Sequence, residues 1–194
     1  MTLTYKEAEN LLETGKIKEC IDYFRDGHYT LEYAYALVLS GDLDNAEFVI
    51  KDMVSTRADW LRKLIPIMKG FLKTCPSYFQ IRNFLEIDID MLFKSKQTKF
   101  IQQIINSADI LQSINNETYK FLARVLLKNN LPEGCKLFLD KSLDSFYNDV
   151  ELHFLYVEYY MFLGDYENAK KSADNCLKIN SEYYPAKKIK ALLK

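Results

Sequence analysis

The stretch FLGDYENAKKSADNCLKIN, at residues 162–180, decides the fold and lies inside a helical pattern that covers residues 150–183. Ahead of it, apolar residues recur at separations of three and four, which places them on one side of a helix. Gly164 then allows the left-handed backbone that ends a helix, and Asp165 can cap the next helix. Small residues follow at helical spacing: Ala169, Ala173 and Cys176. We therefore predict two helices that fold back on each other as an antiparallel hairpin.

The same pattern returns elsewhere in the chain. Shifted by 34 residues, residues 116–149 overlay residues 150–183, and residues 27–60 fit the same frame. Residues 1–26 fit in part, as a shorter hairpin that turns at Gly15. One hairpin has a wide apolar face and nothing to bury it against, so repeated hairpins stack into a solenoid. We expect an all-α fold, built as a superhelix of antiparallel helix hairpins.

Two of the turns carry a family resemblance. The sequences GDYENA at 164–169 and GDLDNA at 41–46 resemble the turn and second-helix start of the tetratricopeptide-repeat (TPR) family. The family's closing proline is replaced in the three repeats that fit by Ala58, Tyr147 and Ser181. The resemblance implies a single helical-repeat domain over residues 1–194, closed by a capping helix at residues 184–194.

The segment 61–115 is the least repeat-like part of the chain. Apolar spacing predicts three helices: one that begins after Thr56 and includes Phe71 and Leu72, one opened by Pro76 and Ser77, and one over residues 100–111. Pro66 lies inside the first pattern and predicts a kink or a helix start there. Three helices between regular hairpins break the alternation of first and second helices. Either one of them caps a subarray, or the superhelix changes direction.

Charge and hydropathy argue against two classes of partner. The chain has 26 Lys and Arg against 27 Asp and Glu, for a net charge of −1, which does not suit a protein that neutralises many phosphates. The residues predicted to line the groove show no repeated basic and aromatic pattern of an RNA reader. Residues 1–7 lack the apolar core of a signal peptide, and no apolar run reaches membrane-spanning length. We expect a cytoplasmic protein that binds neither nucleic acid nor membrane.

Residues that carry chemistry are sparse. The chain has only two histidines, and it shows no glycine-rich phosphate loop and no nucleophile elbow. Its four cysteines are widely spaced, without metal-ligand or redox spacing: Cys20, Cys75, Cys135 and Cys176. We interpret them as small buried residues. The sequence therefore predicts a protein that is not an enzyme and has no metal site or cofactor.

What remains is binding. In TPR arrays, the second, fifth, ninth and twelfth residues of each repeat line a concave groove. Carried over residue by residue, the resemblance places these side chains there: His28, Leu31, Tyr35, Val38, Glu117, Lys120, Arg124, Leu127, Glu151, Phe154, Glu158 and Met161. From this set we select five candidate partner-binding residues: Tyr35, Lys120, Arg124, Phe154 and Glu158. Lys120 and Arg124 share a helix face and could hold a carboxylate, or they could simply pair with Glu117 and Glu158.

The resulting hypothesis is a protein-interaction adaptor or scaffold that holds a segment of another protein or peptide. Fourteen tyrosines and twelve phenylalanines favour it, because aromatic side chains anchor interfaces. The alternative is a regulatory sensor that binds a small peptide or metabolite in the concave face. The chaperone-tail clamp of some TPR domains is not predicted, because Lys120 alone matches its pattern. Self-association is left open.

Overall fold

The computed structural model describes residues 3–70 and 76–193, and in these ranges the chain is helical without β-strands. It divides into two compact units, Met1–Asn115 and Asn116–Lys194. The first unit has nine α-helices in its described part: α1 (Tyr5–Glu13), α2 (Ile21–Asp26), α3 (Thr30–Ser40), α4 (Leu43–Val49), α5 (Thr56–Met68), α6 (Tyr78–Asn83), α7 (Ile89–Lys94), α8 (Thr98–Asn106) and α9 (Ala108–Ile114). The second has five: α10 (Thr118–Lys128), α11 (Pro132–Phe146), α12 (Val150–Phe162), α13 (Tyr166–Ile179) and α14 (Tyr184–Leu192).

The two Gly-Asp turns fold identically at the level of hydrogen bonds. Asp165 accepts from the backbone N–H of Asn168 at 3.1 Å, and the Asn168 side chain donates back to it at 2.6 Å. Asp42 and Asn45 repeat the same two bonds at 3.3 and 2.7 Å. These bonds satisfy backbone donors that the first turn of a helix leaves unpaired. The prediction that Asp165 caps a helix is confirmed.

The turns also share a backbone conformation. Gly15, Gly41, Gly70 and Gly164 have φ between +73° and +91°, and Asn130 occupies the equivalent place with φ +60°. Each of these residues stands at the end of a helix. The turn therefore gives a common reference position for comparing the helices that precede it. On that reference helix α5, which begins at Thr56, starts inside the repeat predicted to extend to residue 60.

Helices α6 and α7 form one continuous helix, because the five residues between them, Phe84–Asp88, make a π-helical turn. We call this 78–94 helix the crossing helix. Ser77 caps its start and shares a capping box with Gln80, so the helix predicted to open at Pro76-Ser77 is confirmed. Acidic and apolar residues alternate at 86–90, and this stretch overlaps the π turn. An added residue of this kind rotates the side chains that follow onto a new face.

The crossing helix contacts α5 and the turn that follows α1. Near its start, Gln80 bonds to Asp59 and Lys63 of α5. One turn later the Phe84 ring lies 5.5 Å from the Trp60 ring. The helix ends at Lys94, beside the turn that follows α1. Successive turns of the crossing helix therefore meet α5 and then the end of α1.

The segment that follows returns across the glycine turns. A Cβ built on Gly15 would lie 2.7 Å from the backbone of Lys94, one on Gly41 would lie 3.2 Å from Gln97 and Phe100, and one on Gly70 would lie 3.1 Å from Gln103. Gln97 also donates its side-chain amide to the Leu39 carbonyl at 2.7 Å. Six residues of helix rise about 9 Å, close to the 8–10 Å between packed helix axes, so α8 keeps step with neighbouring hairpins. We call residues 94–103 the strap.

The helix predicted over residues 100–111 is interrupted. Ser107 separates α8 from α9, and its hydroxyl donates to the Gln103 carbonyl at 2.9 Å, a bond that bends helices. Helix α5 runs through Pro66 and does not start there. The predictions made for Phe71, Leu72 and Cys75 fall outside the described residues.

The second unit consists of two helix pairs and a final helix. Helix α10 packs with α11, α12 packs with α13, and α14 packs on α13. Small residues at the α12–α13 contact are fully buried: Val157, Ala169, Ala173 and Cys176. Ala186 of α14 joins this cluster, and Ile189 and Leu193 pack against it. The final helix thus covers apolar surface that the last hairpin would otherwise expose.

Candidate functional site

The second unit contains a cleft of about 790 Å³ between its first helices and its last one. Three residues come from α10, seven from α12, and two from α14 and the residue before it: Arg124, Leu127, Lys128, Glu151, Phe154, Leu155, Val157, Glu158, Met161, Phe162, Tyr183 and Ile189. The floor is apolar, and the charges stand along two sides, basic on α10 and acidic on α12. We call this the α10–α12 cleft.

Local structure sets the position of α12 along the cleft. Asp149 caps the helix by accepting from the backbone N–H groups of Glu151 at 2.8 Å and Leu152 at 3.2 Å. Glu151, Phe154, Glu158 and Met161 then recur on one face, and Leu152 is fully buried on the other. The Phe154 ring meets the Tyr183 ring edge to face at 5.6 Å in the lining of the cleft.

The candidate residues are not all in one place. Arg124, Phe154 and Glu158 come together in the α10–α12 cleft. Tyr35 belongs to the other unit, and Lys120 is buried below the cleft surface.

Lys120 is neutralised by the protein's own carboxylates. Its side chain is 4% exposed, and its ammonium donates to Asp149 at 2.7 Å and to Glu117 at 2.9 Å. Burial acts to lower the pKa of Lys120, but the two hydrogen bonds outweigh it, so the pKa is raised. Burial acts to raise the pKa of Asp149, but the hydrogen bond and charge of Lys120, together with the backbone N–H groups of Leu152 and Glu151, outweigh it, so the pKa is lowered. Lys120 therefore ties α10 to the start of α12. Its charge is paired with carboxylates of the chain itself.

Arg124 and Glu158 are placed differently. Arg124 is half-buried, with one guanidinium nitrogen 3.7 Å from Glu151. Glu158 faces the cleft, and in the described part of the chain it accepts no hydrogen bond and makes no ion pair. The surrounding protein desolvates its carboxylate and raises its pKa, while the charge of Arg124 acts in the opposite direction. The cleft thus holds one carboxylate whose charge is not matched by a direct contact.

Tyr35 lies under the crossing helix of the first unit. It is 6% exposed, and the Arg57 guanidinium lies 4.9 Å above its ring. Burial raises the pKa of Tyr35 to about 12, and the nearby carboxylate of Asp88 adds to the effect. That carboxylate accepts from Trp60 Nε1–H at 2.8 Å. Burial raises the pKa of Asp88, against the opposing effects of Trp60 and Arg57.

Sequence reasoning missed several residues of the cleft: Lys128, Leu155, Val157, Phe162, Tyr183 and Ile189. The repeat frame names only the exposed groove positions of first helices. Tyr183 and Ile189 line the cleft because α14 folds back over α13. The periodicity of α12 alone cannot predict this contact. The aromatic pair Tyr183-Tyr184 just before a capping helix was the one available signal.

Three of the cysteines match their interpretation. Cys20, Cys135 and Cys176 are buried as free thiols, and burial raises their pKa to about 11, about 12 and about 12. Thiols in this state react poorly. Among the described residues, no three His, Cys, Asp or Glu side chains are grouped to hold a metal ion, and no helix has the length and apolar character needed to cross a membrane.

Comparison with protein-family models, curated proteins and solved structures finds no match for this chain. The TPR resemblance therefore rests on the residues of its own turns and hairpins.

Proposed function

We propose that this chain is a non-catalytic interaction adaptor with TPR-like helical repeats, and that its second unit holds a segment of a partner protein in the α10–α12 cleft. The observation that carries the proposal is the composition of the cleft. Leu127, Phe154 and Met161 offer an apolar floor, and charged side chains line its sides. Protein interfaces have this anatomy, with aromatic and aliphatic anchors inside a polar rim.

The repeat frame adds support. Six of the eight side chains that the TPR resemblance assigns to the groove of residues 116–183 line the cleft: Arg124, Leu127, Glu151, Phe154, Glu158 and Met161. The other two, Glu117 and Lys120, form the ion pair beneath it. Six of these positions thus line the cleft. The other two, on or next to the same helices, form an ion pair.

Site-specific photo-crosslinking in the native cell tests the proposal. A benzophenone side chain at Met161, inside the cleft, should form a covalent adduct with one partner protein, and Phe154→Ala should abolish that adduct. The matched control places the benzophenone at Leu137, which is exposed on α11 outside the cleft. Absence of a protein adduct at Met161, or equal adducts at both positions, would refute the adaptor role of this cleft.

A sensor of small ligands is the second candidate, and the size of the cleft favours it. About 790 Å³ falls within the 300–1,000 Å³ typical of small-molecule sites. A sensor would give no protein adduct from Met161. It would instead show a thermal shift with a small peptide or metabolite, and Phe154→Ala would remove that shift.

A further inference from the structure

The first unit shows what its groove holds. Counted back from the turn glycine, Trp60 stands ten residues before Gly70, as Phe154 stands ten residues before Gly164. Tyr35 stands six residues before its turn, as Glu158 does. In the first unit these groove positions are covered by the crossing helix: the Phe84 ring lies on Trp60, and the Asp88 carboxylate accepts from the indole N–H at 2.8 Å. The chain's own groove is filled by an amphipathic helix.

The equivalent positions of the second unit line the cleft. Glu158 is exposed and Phe154 is partly buried beside the Tyr183 ring, and in the described residues no helix of the second unit covers Glu158 as the crossing helix covers Tyr35 and Trp60. The two grooves therefore share positions and differ in occupancy.

The lining of the cleft favours a helix over an extended segment. An extended segment would lay its peptide N–H and C=O groups over Leu127, Phe154 and Met161, which offer them no hydrogen bonds. Leaving such a group buried and unpaired costs about 1–3 kcal/mol. Apart from the Tyr183 hydroxyl, the polar groups of the lining are the charged ends of Arg124, Lys128, Glu151 and Glu158. A helix pairs its own backbone groups and presents side chains alone.

The unmatched carboxylate selects the charge of that helix. Glu158 is exposed in the cleft and has no ion pair among the described residues, and the guanidinium of Arg124 lies 3.7 Å from Glu151. A cation brought by a ligand would meet Glu158 directly. An anion there would be repelled by the carboxylate.

We propose that the occupant of the α10–α12 cleft is an amphipathic helix of a partner protein, with apolar residues at i and i+3 or i+4 on the floor and a Lys or Arg that pairs with Glu158. The inference rests on the proposed adaptor function and names the chemistry of its partner. In the first unit, by contrast, the Asp88 carboxylate belongs to the covering helix and accepts from the Trp60 indole N–H.

Selection from a random peptide library displayed on phage tests the proposal, with the full chain as bait and peptides of about 16 residues, or between four and five helical turns. Enriched peptides should carry a basic residue and apolar residues at helical spacing. A synthetic peptide from this set should gain helical circular dichroism on binding. Its affinity for Glu158→Gln should fall by about threefold to tenfold, equivalent to 0.6–1.4 kcal/mol. Glu167→Gln is the matched control, since that carboxylate lies outside the cleft on α13 and pairs with Lys171.

The outcomes separate this inference from the function it rests on. Enrichment of acidic or proline-rich peptides, or binding that Glu158→Gln leaves unchanged, would overturn the basic-helix occupant while the Met161 adduct still supported an adaptor. Failure to enrich any peptide would overturn the helix occupant as well. Absence of the Met161 adduct would instead overturn the adaptor role itself.

Discussion

Replacing Gly15 with alanine tests the contact between the first turn and the end of the crossing helix. Gly15 has φ +78°, and a Cβ at this position would lie 2.7 Å from the carbonyl carbon and oxygen of Lys94 and 2.9 Å from the nitrogen of Ser95. The left-handed backbone alone costs alanine about 1–2 kcal/mol. Backbone atoms cannot rotate out of the way, so the contact adds about 1–3 kcal/mol of overpacking. We expect Gly15→Ala to lower the free energy of unfolding by about 2–5 kcal/mol.

Gly70→Ala is the matched control for the backbone term. Gly70 lies in the same unit with φ +89°, but its nearest neighbour is the side-chain amide of Gln103, at 3.1 Å, which can rotate away. We expect this variant to lose about 1–2 kcal/mol. Denaturation followed by the emission of Trp60, the only tryptophan and a residue of the first unit, measures both. Equal losses in the two variants would refute the close approach of Lys94 to the first turn.

Three further changes probe buried groups. Lys120→Met should lower the free energy of unfolding by about 3–5 kcal/mol at neutral pH, because Asp149 loses its counter-ion. The difference between the two proteins should shrink as pH falls below 3.8, where the carboxylate is protonated in the unfolded chain. A loss under about 1 kcal/mol in urea denaturation would contradict the buried pair. Asp88→Asn should leave the free energy of unfolding at pH 7 unchanged or higher, because burial raises the pKa of Asp88 and favours its neutral form. As pH falls toward 3.8, the wild type should become more stable relative to the variant. A relative gain for the wild type as the pH is raised would contradict this prediction. Ala169→Trp should lower the melting temperature through at least about 1–3 kcal/mol of overpacking at the α12–α13 contact, and unchanged melting would contradict it.

The helices and their ends could be predicted from local sequence. The Gly-Asp turns specify their own hydrogen bonds within four residues, so Asp42 and Asp165 could be read as caps before any tertiary contact was known. Buried small residues such as Ala169 and Cys135 followed from the repeat frame for a similar reason, because each hairpin is a local unit.

Long-range placement could not be read in the same way. The pattern of the crossing helix predicts a helix but not that it lies across α5, since Phe84 and Trp60 meet only in the folded chain. The charge of Lys120 looked available for a ligand because its partner Asp149 stands 29 residues away. Of the candidate site, Phe154, Arg124 and Glu158 were grouped by the frame itself. Tyr183 and Ile189 depended on how α14 folds back.

The strap changes how the first unit comes off the ribosome. In an array of stacked repeats, each hairpin can settle on the one before it as synthesis proceeds. Here the turn at Gly15 contacts Lys94, and the Leu39 carbonyl accepts a hydrogen bond from Gln97. Both partners are synthesised much later than the residues they contact. At about 5–20 residues per second, the early hairpins remain without these partners for several seconds. Residues 3–70 therefore leave the ribosome before the crossing helix that covers their apolar groove has been synthesised.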